Sequence, residues 1–197
     1  MFYEERNNMP LNDITLCSRA LIRIGAAPIS SLSDGTAESE IANVLYSSVR
    51  DALLSAYGWS FATGQESLSQ IMTDPVADYS HAFQLPDDFI RALSAGQGTK
   101  GRGITYRIIG NELHTSVSAV VLTYIYDVDE ANFPPYFAQA LTARLAAEFC
   151  IPVTENTSRA EALFRLAERE YEIARQIDAQ QDSPNALEDF PLTDIRR

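Results

Sequence analysis

From Asn12 onward, apolar positions recur at helical spacing as Ile14, Cys17, Leu21 and Ile24, behind an Asn suited to cap a first turn. Gly25 follows, where a left-handed C-terminal residue belongs, so helix one ends there. The turn-rich stretch Ala26-Ala-Pro-Ile-Ser-Ser-Leu-Ser-Asp-Gly35 leads to Thr36, a second cap, and Ile41, Leu45, Val49, Leu53 and Ala56 mark one stripe running to Tyr57. The two segments read as an αα-hairpin. Between about Leu68 and Asp129 the period changes to that of strands: Phe83-Gln-Leu, Phe89-Ile-Arg-Ala-Leu, Ile104-Thr-Tyr-Arg-Ile-Ile, Glu112-Leu-His-Thr and Ala119 to Val128. Leu85-Pro-Asp-Asp, Gly96 to Gly103 and Gly110-Asn-Glu supply turn chemistry between them, which predicts a small antiparallel sheet.

Helical spacing returns after Pro134-Pro135, since proline is tolerated in a first turn whose N–H groups lack partners. Phe137, Leu141, Leu145 and Phe149 form that stripe, which is expected to stop before Pro152. The last helix is expected to open on a capping box, Ser158-Arg-Ala-Glu161, and to continue through Leu163, Phe164, Ala167, Tyr171, Ala174 and Ile177, with Glu161 and Arg165 paired on its wet side. The order helix, helix, sheet, helix, helix predicts an α+β chain: an antiparallel four-helix bundle (10–62 and 132–181) with an inserted small antiparallel β-domain (63–131). Residues 1–9 read as a loose arm, with Met9 an alternative start. Residues 182–197 read as an extended C-terminal tail.

That tail carries apolar beads, Leu187, Phe190, Leu192 and Ile195, followed by Arg196 and Arg197. Spaced hydrophobic anchors offset the ordering entropy of a segment that docks on another surface, so docking is favoured over a merely solubilising end.

Composition narrows the function. The chain has 197 residues with 27 acidic against 15 basic side chains, a formal net charge of −12. This opposes a role as a nucleic-acid coat, because duplex affinity comes from Lys and Arg neutralising phosphates. Nine Phe, nine Tyr and one Trp supply a core, and no apolar run approaches the ~18 residues that span a bilayer, so a soluble, unsecreted protein without membrane contact is expected. Cys17 and Cys150 lie within helical patterns and read as reduced core thiols.

Candidate chemistry is sparse. Gly96-Gln-Gly-Thr-Lys-Gly101 matches G-x-G-x-x-G, but a strand rather than a helix follows it, so a flexible hairpin tip is expected. Lys100 and Arg102 place two cations on that tip, a solvated loop that offers contact to DNA phosphate or an acidic partner. Asp87-Asp88 is ordinary turn chemistry, and His81 and His114 have no ligand cluster at metal spacing. Trp59 and Phe61 stand between the second helix and the sheet and are expected to plug the bundle–sheet junction, or to form a partner hot spot. No nucleophile–base arrangement, metal cluster or cofactor cradle stands out, so catalysis is disfavoured; binding or assembly is what remains.

Several blocks carry a resemblance. Ala20-Leu-Ile-Arg-Ile-Gly-Ala-Ala-Pro-Ile-Ser-Ser-Leu-Ser-Asp-Gly-Thr36, then Tyr46, Arg50, Leu54 and Trp59-Ser-Phe-Ala62 are joined by His81-Ala-Phe-Gln-Leu-Pro-Asp-Asp-Phe-Ile-Arg91, Tyr106, Gly110-Asn-Glu-Leu, Thr115, Leu122-Thr-Tyr-Ile-Tyr-Asp-Val128 and Phe133-Pro-Pro-Tyr-Phe137. Ala140-Leu, Leu145-Ala-Ala and Pro152 complete the series. In this order, over about residues 11–180, they resemble the tail tubular protein A family, the head–tail connectors of T7-like short-tailed phages. Gly58 stands where that pattern would place proline.

The resemblance implies a structural, non-enzymatic adaptor without cofactors, made in the host cytoplasm and built into the virion tail at the head–tail interface. Its copies would form a ring, typically of twelve, between the portal protein and a tail nozzle of the tail tubular protein B type, with DNA passing through the lumen without sequence-specific binding. Carried over by position, residues 182–197 would embrace the portal and loops of the β-insert would meet the nozzle or neighbouring subunits. An acidic or neutral lumen is then expected, since weak attraction lets DNA pass. The competing expectation is a cytoplasmic DNA-packaging or regulatory factor that binds nucleic acid transiently through the Lys100–Arg102 loop and, second to it, the Arg-rich last helix.

Overall fold

A computed structural model describes residues 11–73 and 75–181; the expected arm of residues 1–9 and the C-terminal tail of residues 182–197 lie outside them. The chain is α+β, with helices α1 (Asp13–Arg23), α2 (Ala37–Ala56), α3 (Pro135–Thr154) and α4 (Thr157–Asp178). Between α2 and α3 run strands β1 (Thr63–Ser67), β2 (Gln70–Ile71), β3 (His81–Gln84), β4 (Phe89–Gly96), β5 (Tyr106–Ile109), β6 (Glu112–Thr115) and β7 (Val121–Tyr126).

The first two helices start and stop where local chemistry dictates. Asn12 Oδ1 accepts the Thr15 N–H at 2.8 Å. Thr36 and Ser39 form a reciprocal capping box, at 3.2 and 3.1 Å. α1 ends in a Schellman motif: Gly25, at φ +79°, donates to the Ile22 carbonyl, and Ala26 donates to that of Leu21, both at 3.0 Å. In the following loop the Asp34 carboxylate accepts the N–H groups of Ser30 and Ser31 at 2.8 and 3.0 Å, which holds its carboxyl below the usual range.

The four-helix bundle with a small inserted β-domain is not what forms. The seven strands make two antiparallel sheets, ordered β1-β7-β4 and β2-β3-β6-β5. The first sheet belongs to the helices' own core: Ile125 of β7 and Val128 just beyond it are buried in one cluster with Leu16, Leu54, Trp59, Phe137, Leu141 and Phe149. On the other face of β7, Leu122 and Tyr124 pack with Phe83, Leu85 and Leu113 of the second sheet. Helices, a three-stranded sheet and a four-stranded sheet therefore stack as three layers that share β7.

Nor do the helices share one central core. α3 is the hub against which α1, α2 and α4 each pack, whereas α1 and α2 touch only marginally. The Phe137, Leu141, Leu145, Phe149 stripe is only part of the buried surface of α3. Ala138, Ala140, Thr142, Ala143, Ala146, Ala147 and Cys150 are buried around the rest of it. The small side chains let neighbours approach closely on several sides, so an all-round buried helix replaces one wall of a bundle.

Two helix ends differ from expectation. α3 runs through Pro152 to Thr154, because a proline in a last turn removes only one ladder hydrogen bond; Glu155 then closes the helix at φ +54°, donating to Ile151 O at 2.8 Å. α4 is capped by Asn156, whose Oδ1 accepts the Arg159 N–H at 2.9 Å, and this puts Ser158 inside the first turn. Among the described residues Glu161 and Arg165 form no ion pair. The inter-helix pairing falls to Arg144 of α3, which meets Glu148 at 2.9 Å and Glu168 at 3.3 Å and lies over the Phe164 ring at 5.2 Å.

One strand carries no strand signature of its own. β1, Thr-Gly-Gln-Glu-Ser, has no apolar alternation, yet it pairs with β7 from Thr63↔Ile125 to Ser67↔Val121. It is an edge strand, where one polar side is tolerated. Gly110, at φ +59°, takes the first central position of the two-residue β5–β6 turn, the glycine placement of a type II′ hairpin. No helix among the described residues is long and apolar enough to cross a membrane.

Candidate functional site

The Gly-rich segment after β4 is not a hairpin tip. β4 and β5 lie in different sheets, so residues 97–103 form a crossover between layers. The loop is pinned at its middle. Ser94 Oγ and Thr123 Oγ1 both donate to the Gly101 carbonyl, at 2.7 and 3.2 Å. A Cβ at Gly101 would come within 2.5 Å of Gln65 Nε2 and 2.7 Å of Thr123 Oγ1, so a side chain there would have to displace the Gln65 amide and the Thr123 hydroxyl. A Cβ at Gly96 would strike the Lys100 carbonyl and the Arg102 nitrogen. Lys100 and Arg102 thus flank a fixed point, both exposed.

Trp59 is fully buried and Phe61 follows in a single 3₁₀ turn, Ser60–Ala62. The indole Nε1 donates to the Leu53 carbonyl at 3.0 Å, one of the C-terminal carbonyls that α2 leaves without a helical partner. Edge-to-face contacts join Trp59 to Tyr57, Phe137 and Tyr171 at 5.0 to 5.9 Å, and Phe61 packs on Phe133 and Phe137 at 6.1 and 4.9 Å. Tyr126 of β7 donates to the Phe61 carbonyl at 3.2 Å. The aromatic cluster therefore sits where α2, α3 and α4 meet the first sheet, and its burial removes Trp59 from contact with a partner.

Two polar clusters join residues far apart in the sequence. Asp178, only 2% exposed, accepts the Ser60 N–H at 2.9 Å, the Ser60 hydroxyl at 2.8 Å and the Tyr136 hydroxyl at 2.8 Å. Burial first, and this hydrogen bond second, push the Tyr136 pKa up to about 12. Arg50 of α2 is the second hub. It pairs with Asp127 and with Asp51 at 3.1 Å, donates to the Val128 carbonyl at 3.0 Å, and brings Nε within 3.1 Å of Glu130. Tyr46, one turn earlier, donates to the same Glu130 at 3.0 Å. Burial alone would loosen Arg50's proton, but Asp127 and Glu130 outweigh it and raise its pKa. Burial and the Glu130 charge also drive the Tyr46 pKa far above the usual tyrosine range. Nothing in the one-dimensional pattern pairs residue 50 with 127 or 60 with 178.

The other candidates are ordinary. Asp88 accepts the Tyr124 hydroxyl at 3.1 Å, and its carbonyl accepts the Asp127 N–H at 2.8 Å, while Asp87 is exposed in the turn. His114 Nε2 lies 2.7 Å from Glu112 Oε2 and His81 Nδ1 lies 3.1 Å from Gln70 Nε2, each a local pair. No group of three or more potential metal ligands occurs among the described residues. Cys17 and Cys150 are buried free thiols, and burial pushes the Cys17 pKa up to about 12. Leu187, Phe190, Leu192, Ile195, Arg196 and Arg197 lie outside the described residues.

Two surface grooves stand out among the described residues. One, about 810 Å³, runs between α1 and the first half of α3 and is lined by Leu11, Arg19, Ile22, Arg23, Phe133 and Ala138 among others. The second, about 400 Å³, lies over α3 between α2 and α4, with Leu45, Val49, Leu53, Ala167 and Tyr171 in its walls and Arg144, Glu148 and Glu168 at its rim. Neither brings together a nucleophile and a base. No protein-family model and no curated protein matches the chain.

Proposed function

We propose that this chain is a structural head–tail adaptor of a short-tailed phage, assembling as a ring between the portal protein and the tail nozzle and serving as a conduit for DNA ejection. The observation that carries this reading is that the separate blocks of the family resemblance meet in space. Tyr46 and Arg50 reach Asp127, Val128 and Glu130, and Trp59 and Phe61 stack against Phe133 and Phe137. A shared framework, rather than a scatter of matching residues, is what such a convergence favours. On this reading residues 182–197 dock on the portal, while exposed apolar residues of the β2–β3 loop, Met72 and Val76, offer contacts toward the nozzle. The acidic balance suits a passage that must not hold DNA.

A specific observation favours the second reading, a packaging or regulatory factor that touches nucleic acid: Lys100 and Arg102 are exposed on a loop fixed at Gly101. One experiment separates the two. Purified chain is mixed with isolated portal and imaged by cryo-electron microscopy, and its DNA affinity is measured across salt concentrations. Rings on the portal with no salt-sensitive DNA affinity favour the adaptor, and removal of residues 183–197 is expected to abolish decoration with helical content unchanged. Tight, salt-sensitive DNA binding by a monomer that ignores the portal, or a ring with a dominantly basic lumen, overturns it.

A further inference from the structure

Two surfaces of α4 point different ways. Ala167, Glu168 and Tyr171 line the groove that lies over α3 between α2 and α4. Leu166, Ile173 and Ile177 lie roughly 130° further round the axis, at about 3.6 residues per turn. At 43, 41 and 37% exposure they are three of the nine exposed large apolar side chains among the described residues. The helix already buries Ala160, Ala167 and Ala174 on another side, so these three are not needed for its core contact. Aligned on one flank rather than scattered singly, they form an apolar strip of the kind that meets a partner.

The groove on the other side of α4 suits such a strip. Its α2 wall pairs the apolar Leu45, Val49 and Leu53 with the small Ser48, Ala52 and Ala56, whose short side chains leave room for the knobs of an incoming helix. From Leu45 to Ala56 that wall rises about 16 Å, and the strip from Leu166 to Ile177 rises by an equal length. The charges correspond as well. Glu148 and Glu168 share Arg144 at the rim, which makes that trio net negative, and Arg169 is exposed beside the strip with the half-buried Glu170 next to it. We infer that the chain binds a second copy of itself head to tail, the Leu166, Ile173 and Ile177 flank of one copy seated in the α2/α3/α4 groove of the next, with Arg169 against Glu168. Because the two faces differ and lie on different sides of α4, each copy can engage two neighbours. The contact then propagates as a ring or an open filament and does not close as a two-fold dimer. A single helix flank is a small contact, so association is expected to rise with concentration. The inference goes beyond the adaptor reading and stands without it.

The test is sedimentation of the full chain over a concentration series, in which the wild-type average mass is expected to climb above that of the monomer. Leu166→Asp/Ile173→Asp spoils the flank and Ala52→Trp fills the groove. Each variant alone is expected to lose about tenfold or more in affinity, the effect of one buried apolar side chain. Mixed, the two should form a one-to-one dimer and nothing larger, since each supplies the face the other lacks. Circular dichroism checks that both fold; should either lose helical content, Leu166→Ser/Ile173→Ser or Ser48→Asp takes its place. A wild-type chain still monomeric at about 1 mM overturns the inference. So does self-association that Ala52→Trp leaves unchanged, which means flank against flank, or that the flank variant leaves unchanged, and so does a mixture that stays monomeric. Portal decoration by the flank variant equal to that of wild type sinks this inference and leaves the adaptor reading standing. Head-to-tail association by a chain that ignores the portal does the reverse.

Discussion

The carboxylate of Asp178, in the last turn of α4, accepts both the backbone N–H and the hydroxyl of Ser60, 118 residues earlier, at 2.9 and 2.8 Å. An anion at a helix C-terminus opposes the macrodipole, so its retention there reflects the donors it satisfies. With the Tyr136 hydroxyl as third donor, Asp178 ties the end of α4 to the turn that opens the first sheet and to the start of α3.

Replacing Asp178 with Ala takes the shared acceptor from three donors at a part-buried site. A loss of about 1–3 kcal/mol is expected, more than Ser60→Ala alone, which keeps the backbone N–H bonded. Urea denaturation of both variants checks this.

Trp59→Ala removes the centre of the aromatic cluster and leaves the Leu53 carbonyl without its donor, so about 3–5 kcal/mol should be lost. Trp59→Phe keeps much of the ring packing but not the hydrogen bond, and its loss should be smaller. Thermal unfolding ranks the two.

Ala143 and Ala147 of α3 face Ala167 of α4 in a small-residue contact. Ala147→Leu should overpack it and destabilise by about 1–3 kcal/mol, whereas the same change at exposed Ala52 should cost little. Chemical denaturation midpoints distinguish the two sites.

Among the nine tyrosines, Tyr46, Tyr124, Tyr136 and Tyr171 all have raised pKa values, chiefly through burial. A raised folded-state pKa means the stabilisation is complete below the unfolded value of ~10 and is lost as pH rises through the folded one, about 12 for Tyr136. Absorbance titration should show these four tyrosines ionising only as the far-ultraviolet circular dichroism collapses. Ionisation of these four in the ordinary tyrosine range with the fold intact would contradict the burial described.

Local signals in the sequence were reliable where the physics is local. Asn12, Gly25, Thr36 and Gly110 punctuate the structure as their conformational preferences require, because a cap or a turn is settled within four or five residues. The α4 start is ambiguous at that level: Ser158 and Asn156 are both good caps, and only the folded chain selects Asn156. The polar β1 strand was invisible because an edge strand takes its order from its partner's backbone, not from its own side chains.

The candidate sites divide in the same way. The turn residues and cations of the 96–103 segment were legible, but the crossing between two sheets and the hold of Ser94 and Thr123 on Gly101 depend on strands far apart in the chain. Arg50 with Asp127 and Glu130, Asp178 with Ser60, and the Arg19–Arg23 groove are likewise products of packing.

By itself the sequence determined an acidic α+β chain with its helices, most strands and caps, since periodicity and capping are properties of short segments. Only the tertiary structure decided that α3 is buried all round, that one sheet completes the helical core while a second covers it, and which charges meet. Those outcomes depend on how apolar faces and small side chains from distant segments fill one volume, which no stripe of residues encodes alone.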